Sequence, residues 1–348
     1  MKRQDKIILR RIALTLFAVL FLGWFLFWPL PSYIEGPGSA DNLQSYVHIK
    51  GHPDRQKGSF MITSVMLSQA RPATYLWAKV TPYHSIESAD DVTGGQSGAT
   101  FNKLQNFYMQ SAINEAIAVA YHAAHQTVHE KYLGIYVLQV QKHSKFKKYV
   151  KVGDTITKVN GHHFDTAHGF QKYIAKRKVG TPLQVTYLHN GHQRIVTKPL
   201  VRIAGSRAGI GILLTDNVKV KTDIPVKVTP GQLGGPSGGL MFSLQIYSQL
   251  TNQNLRHGQK IAGTGTINPD GTVGEIGGID KKVVAAHRAG AKVFFAPYVK
   301  PNKLLLKYEE GHQTNYQMAK NTAKKVDPNM KVVPVTSFHD ALHYLQTH

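Results

Sequence analysis

Cysteine is absent from all 348 residues. Its absence excludes disulfides, thiolate nucleophiles and cysteine-ligated metal, and it leaves the redox compartment open. Acidic residues are scarce: 20 Asp and Glu stand against 42 Lys and Arg, a formal net charge of +22. The basic residues are spread along the chain and carry no aromatic–basic recognition motif. No nucleic acid is therefore expected as a partner; a basic surface beside an anionic membrane or cell wall is. Charged residues amount to 18% and hydrophobic ones to 42%, which suits a folded protein with a membrane segment better than a disordered chain. Long apolar runs are almost lacking. There is one.

That run, Ile12–Leu30, holds no charge, and as a helix it is about 28 Å long, one hydrocarbon core. Lys2, Arg3, Lys6, Arg10 and Arg11 precede it, which predicts a cytoplasmic basic tail over 1–11, a transmembrane signal anchor over 12–30 and an extracellular remainder. Trp24 and Trp28 fall near the outer end, where indoles favour the interface. A cleaved signal peptide would have a shorter apolar core, and the nearest small-residue site, Gly38-Ser39-Ala40, lies well past this one. A single-pass protein of the cell membrane is expected, with the lipid bilayer as a partner.

Pro29, Pro31, Gly36, Pro37 and Gly38 read as a short stiff exit from the membrane. Tyr46–Ile49 and Ser59–Met66 read as strands, Gly94–Gly98 as a loop, and Asn102–Gln126 as a helix with Phe107, Ile113, Ile117 and Ala120 on one stripe. Nothing over 31–126 carries chemistry in isolation. It is expected to be scaffold, or the wall of a substrate groove.

From His129 the pattern changes to short strands and turns. Val152-Gly153-Asp154 and Val159-Asn160-Gly161 punctuate strands, Ala167–Arg177 reads as a helix, and His189-Asn190-Gly191-His192 turns Leu183–Leu188 into a hairpin with Gln193–Thr197. With Leu133-Gly134-Ile135, this order resembles a PDZ domain of the bacterial protease-associated kind over 127–205. The resemblance implies a peptide groove bounded by the strand Ile135–Val140 and a helix carrying Phe170 and Ile174, with Leu133, Gly134 and Ile135 at its mouth. His162-His163 has no third ligand placed by spacing, and His129-Glu130 lacks the second histidine of a zinc-protease helix. No metal and no cofactor are expected.

Residues 206–348 carry the chemistry. Val226–Val228 reads as a strand, and Gly234-Gly235-Pro236-Ser237-Gly238-Gly239 precedes the helical run Leu240–Leu250. A serine at a helix N-terminus meets exposed N–H groups and the positive end of the macrodipole, which suits an oxyanion. Gly235-x-Ser237-x-Gly239 also fits the nucleophile elbow of α/β-hydrolases, and the lack of a following Lys-Ser/Thr disfavours a phosphate loop. Downstream, Ile261–Ile267 reads as a strand and Asn268–Gly271 as a turn. Ile276-Gly277-Gly278-Ile279-Asp280-Lys281-Lys282 then opens a helix, with Asp280 as its expected cap. Polar helices over Lys303–Tyr308 and Asn315–Lys325, the strand Val332–Val335 and a helix capped by Ser337 finish the chain.

The serine loop and the segment Ile276–Gly290 together resemble the proteolytic domain of the Lon family, whose serine motif is Gly-Pro-Ser-Ala-Gly. The resemblance implies a Ser–Lys dyad with Ser237 as nucleophile, Lys282 rather than Lys281 as base, and Thr264 orienting the lysine. Backbone around Pro236 and Gly238 would hold the oxyanion. Gly234 stands where ATP-dependent members carry an acid, and no Walker motif is present in these residues. With the anchor and the PDZ-like stretch, the chain resembles membrane-anchored, ATP-independent Lon-like proteases of Gram-positive bacteria. The expected fold is α+β: a Lon-type proteolytic domain with an inserted PDZ-like domain, preceded by one N-terminal transmembrane helix. The implied function is an extracytoplasmic serine endopeptidase that cleaves flexible secreted peptides or small membrane proteins. The rival class is a non-catalytic PDZ scaffold that holds peptides at the membrane. An oligomer is left open.

Overall fold

A computed structural model describes residues 3–203, 205 and 207–348. Lys2 of the basic tail and Ser206 at the expected domain boundary lie outside them. Helix α1 (Arg3–Phe27) contains Ile7–Phe27, a stretch long and apolar enough to cross a bilayer, with none of its residues buried. The expected span ran to Leu30. Leu30 instead gives its N–H to the Ala70 carbonyl at 2.8 Å and packs with Ile34, Ala70 and Ala78, so it belongs to the folded unit beyond.

The expected stiff exit is a strand, β1 (Ser32–Asn42). It pairs antiparallel with β3 (Ser59–Gln69), which follows β2 (Val47–Ile49), and the register shifts between Pro37 and Ala40. The irregularity falls directly after Pro37, where proline and glycine are best tolerated in a strand. Helix α2 (Pro72–Val80), strand β4 (Ser85–Ser88) and the short α3 (Ala89–Thr93) follow. Helix α4 (Gly98–Ala123) starts earlier than the stripe predicts. Ser97 caps it by accepting the Thr100 N–H.

The middle of the chain is a separate antiparallel sheet with its own core. Its elements are β5 (Val128–Val140), β6 (Thr155–Val159), α5 (Ala167–Ala175), β7 (Pro182–His189), β8 (His192–Pro199), β9 (Val201–Arg202), β10 (Ala208–Gly209) and β11 (Ile212–Thr222). Asn190 and Gly191, both with positive φ, make the β7–β8 turn. The strand order is β11-β5-β6-β7-β8, with Ile135, Val137, Val185 and Phe170 in the core. Strand β11 carries this sheet to Thr222, past the boundary expected at 205. Leu104 of α4 packs against Tyr136 and Leu138 of β5 and joins the module to the rest.

After β12 (Val226–Val228), which pairs with β2, come α6 (Gly239–Thr251), β13 (Lys260–Gly263), β14 (Thr266–Ile267), β15 (Val273–Gly274), α7 (Ile279–Arg288), β16 (Val293–Pro297), α8 (Lys303–Tyr308), α9 (Asn315–Val326), β17 (Lys331–Val335) and α10 (Phe338–Thr347). The main sheet has the order β17-β16-β13-β3-β1-β4. Its β17, β16, β13 and β3 run parallel, while β1 and β4 are antiparallel to their neighbours. Strands on both sides of the middle module therefore build one sheet. Alternation along β3 sends Phe60 and Ile62 to the face covered by α4, α6 and α10, and Met61 to the face covered by α7 and α9.

Candidate active site

Ser237 stands immediately before the N-cap of α6, Gly238. Its turn is tied down from three directions. The Gly235 N–H bonds the Gln105 carbonyl of α4 at 3.0 Å, and the Ser237 carbonyl accepts the Gly265 N–H at 2.8 Å and the Thr264 hydroxyl at 3.0 Å. Gly235 takes a positive φ, whereas Gly238 and Gly239 answer to close packing. A Cβ on Gly238 would lie 2.3 Å from Ile62 Cδ1, and one on Gly239 would lie 2.6 Å from Ile267 Cγ2 and 2.9 Å from its backbone nitrogen.

The expected strand Ile261–Ile267 breaks after Gly263: β13 stays in the main sheet, and β14 turns away to pair with β15. Thr264 sits at the break, fully buried, which frees its hydroxyl to reach the serine loop. Helix α7 begins at Ile279 after Gly278, a cap in the left-handed region, so Asp280 is a first-turn residue and not the expected cap. Both lysines of this helix are buried. Lys281 pairs with Asp280 at 3.3 Å, whereas Lys282 places Nζ 2.9 Å from Ser237 Oγ and 3.3 Å from Thr264 Oγ1. Ser237, Lys282 and Thr264 are thus brought together.

Burial lowers the Lys282 amine to about 8, against the Glu35 carboxylate, which acts to raise it. A neutral amine has two N–H donors and one lone pair. Thr264 spends its own proton on the Ser237 carbonyl and so offers a lone pair to one N–H, leaving the amine lone pair for the serine proton. Pro236 has no N–H and cannot donate to an oxyanion, contrary to its expected place in that role. The amides this turn can offer are those of Ser237 and Gly238, at the positive end of α6.

A cavity of about 550 Å³ opens over Ser237, Gly238 and Lys282. Its walls are β1 and β3, including Pro37, Gly38, Asp41, Ile62 and Val65, with Met109 from α4. Residues 31–126 therefore supply the groove wall and, in Glu35, a charge that acts on the lysine. Sequence reasoning found no chemistry there. Glu35 lies in a segment that reads as exit loop, and no local pattern marks its approach to α7, where a Cβ on Gly278 would meet Glu35 Oε1 at 2.3 Å.

The expected peptide groove needs correction. Strand β5 is hydrogen-bonded to β11 on one side and, over Ile135–Val137, to β6 and the turn before it on the other, so this part of it has no free edge for an added strand. Gly134 is a glycine because β6 comes close: a Cβ would sit 2.3 Å from the Ile156 carbonyl oxygen. Phe170 and Ile174 do line a cavity, of about 190 Å³, whose other wall is Gly209–Ile212 and Leu214. Leu133, Gly134 and Ile135 are not part of it. The overlooked signal is Ala208-Gly209-Ile210-Gly211-Ile212, a second glycine–aliphatic run leading into a strand.

Residues 194–342 match the Lon protease (S16) C-terminal proteolytic domain, and residues 98–198 match the PDZ domain. The Lon protease of Desulforamulus reducens is 40% identical over 79 residues, which is 22% of this chain and 10% of that protein. Lon protease 1 of Myxococcus xanthus is 32% identical over 142 residues, covering 41% of this chain and 15% of the relative. The chain thus spans a small part of the length of the curated relatives it matches. Among solved structures, the PDZ domain of the SdrC-like protein from Listeria monocytogenes is 29% identical, covering 24% of this chain and 90% of that one with a TM-score of 0.24. The chain carries a serine-protease domain of the Lon (S16) type joined to a PDZ domain, and one candidate membrane-spanning helix precedes both.

Proposed function

We propose that this protein is an ATP-independent serine endopeptidase, anchored by α1 in the cell membrane with its catalytic unit outside, that cuts flexible secreted peptides or small membrane proteins. The observation that carries this reading is the 2.9 Å approach of the buried Lys282 amine, lowered by burial to about 8, to Ser237 Oγ at the floor of an open cavity. Ser237 attacks the peptide carbonyl as Lys282 takes its proton, the oxyanion settles at the start of α6, and Lys282 returns the proton to the leaving amine. Water then hydrolyses the acyl-enzyme with the same lysine as base.

Substrate lies along β1. Strand β4 pairs only with Ser32–Glu35 of β1, and from Gly36 onward no strand among the described residues covers that outer edge. An extended peptide can add there and reach Ser237. Without an unfoldase, only segments already extended fit, which is why flexible substrates are favoured. The PDZ groove between α5 and Gly209–Leu214 holds a second part of the same substrate.

Cleavage of a disordered test protein by the detergent-solubilised full chain, without nucleotide, tests the proposal. Wild type cuts; Ser237→Ala and Lys282→Ala do not. Cleavage that survives Ser237→Ala overturns the dyad.

A further inference from the structure

Helix α2 is apolar on two faces, and only one of them is used by the fold. Tyr75 and Ala78 turn inward to Leu30, Ile34 and Ala70. Leu76, Trp77 and Val80 turn outward, 55%, 49% and 81% exposed. With Ala73 these outward residues follow the i, i+3, i+4, i+7 spacing of an amphipathic helix, so the outer stripe is a continuous apolar face. The exposed Arg71 and Lys79 flank it. Its position is the informative fact. Helix α2 packs against α1, Leu30 bonds Ala70, and the Arg71 guanidinium lies 5.9 Å from the Phe27 ring at the end of the candidate membrane span.

We infer that the outer face of α2 docks on the bilayer that α1 enters, with Leu76, Trp77 and Val80 among the lipid chains and Arg71 and Lys79 at anionic headgroups. The occupant is argued from continuity with the candidate span and from the chemistry of the stripe, an indole and aliphatic residues rimmed by cations. A span alone leaves the protease unit free to swivel. A second contact beside it fixes the orientation of the unit on the membrane surface. The inference rests on α1 as a membrane span.

The chain has three tryptophans, Trp24, Trp28 and Trp77. A W24F/W28F variant of the full chain, reconstituted in vesicles of phosphatidylcholine and phosphatidylglycerol, therefore reports from Trp77 alone. The expected result is a blue-shifted emission, loss of emission when the acyl chains are brominated, and protection from aqueous iodide. Adding Leu76→Glu and Val80→Glu should restore iodide quenching. Trp77 open to iodide and untouched by bromolipid, in protein that resists alkaline carbonate extraction, overturns the inference while leaving the anchor intact. Protection from iodide without bromolipid quenching also overturns it, in favour of a protein occupant such as a second copy. Release by carbonate removes the span itself, and the docking with it.

Discussion

Lys282 holds its amine 2.9 Å from Ser237 Oγ while only 4% of its surface is exposed. A lysine at that depth is reactive in its neutral form. The value of about 8 predicts that kcat/KM for a neutral peptide rises with pH through this value and levels off above it. Glu35→Gln removes the charge that holds the amine up, so the midpoint should move to lower pH. A stopped pH series on both proteins reads the shift directly; an unmoved midpoint excludes Glu35 as the tuning charge.

The same lysine costs stability. An unfolded lysine titrates near about 10.4, so between that value and about 8 the unfolded chain binds more protons, and stability falls as the pH is lowered through this window. At pH 7 the whole penalty is present, about 3 kcal/mol. Lys282→Met should therefore be inactive and yet more resistant to urea than wild type, with a flatter stability profile between pH 8 and 10.

Thr264 joins the lysine to the serine loop, at 3.3 Å from Lys282 Nζ and 3.0 Å from the Ser237 carbonyl. Thr264→Val keeps the shape and deletes both bonds. Leaving these groups without a partner is worth about 1–3 kcal/mol, so kcat should fall about tenfold to a hundredfold, with Thr264→Ser restoring most of it. Equal loss in the valine and serine variants would assign the residue to packing alone.

Gly238 and Gly239 should differ in tolerance. The obstacle at Gly238 is the end of the Ile62 side chain, which can rotate, whereas at Gly239 it includes the Ile267 backbone. Gly238→Ala should fold, at a smaller cost than Gly239→Ala. Gly239→Ala should lose about 1–3 kcal/mol in chemical denaturation.

Away from the site, Arg256 binds both carboxylate oxygens of Asp54, at 2.6 and 2.5 Å, and Gln245 donates to the same carboxylate at 2.8 Å. Burial pushes Asp54 up, but these bonds outweigh it and hold the carboxyl below its usual range. Its stabilising share is complete above the unfolded value of about 3.9 and is lost as pH falls through the lower folded value. Asp54→Asn should cost about 3–5 kcal/mol at pH 7, since it leaves Arg256 buried without its charge partner, and should lose part of the acid-induced slope.

What the amino-acid order determined by itself is the chemistry that short stretches can hold. An uncharged run long enough to span lipid, a serine in a glycine turn before an apolar helix, and a lysine pair opening another helix are all local facts. So is the cap at Ser337, which accepts the Asp340 N–H as expected. The tertiary structure decided which of these meet. Whether β5 is an edge or an interior strand depends on β11, dozens of residues away, and so the cavity beside Phe170 and Ile174 is walled by Gly209–Ile212 and Leu214 and not by Leu133–Ile135. The Pro- and Gly-rich stretch after the candidate span became β1 because β3 offered a ladder with room for a bulge. Adjacent lysines on one helix differ by about a hundred degrees in direction, so only the packing of α7 sends Lys282, and not Lys281, to the serine. Strand partners and helix facings are non-local, and no window of sequence contains them.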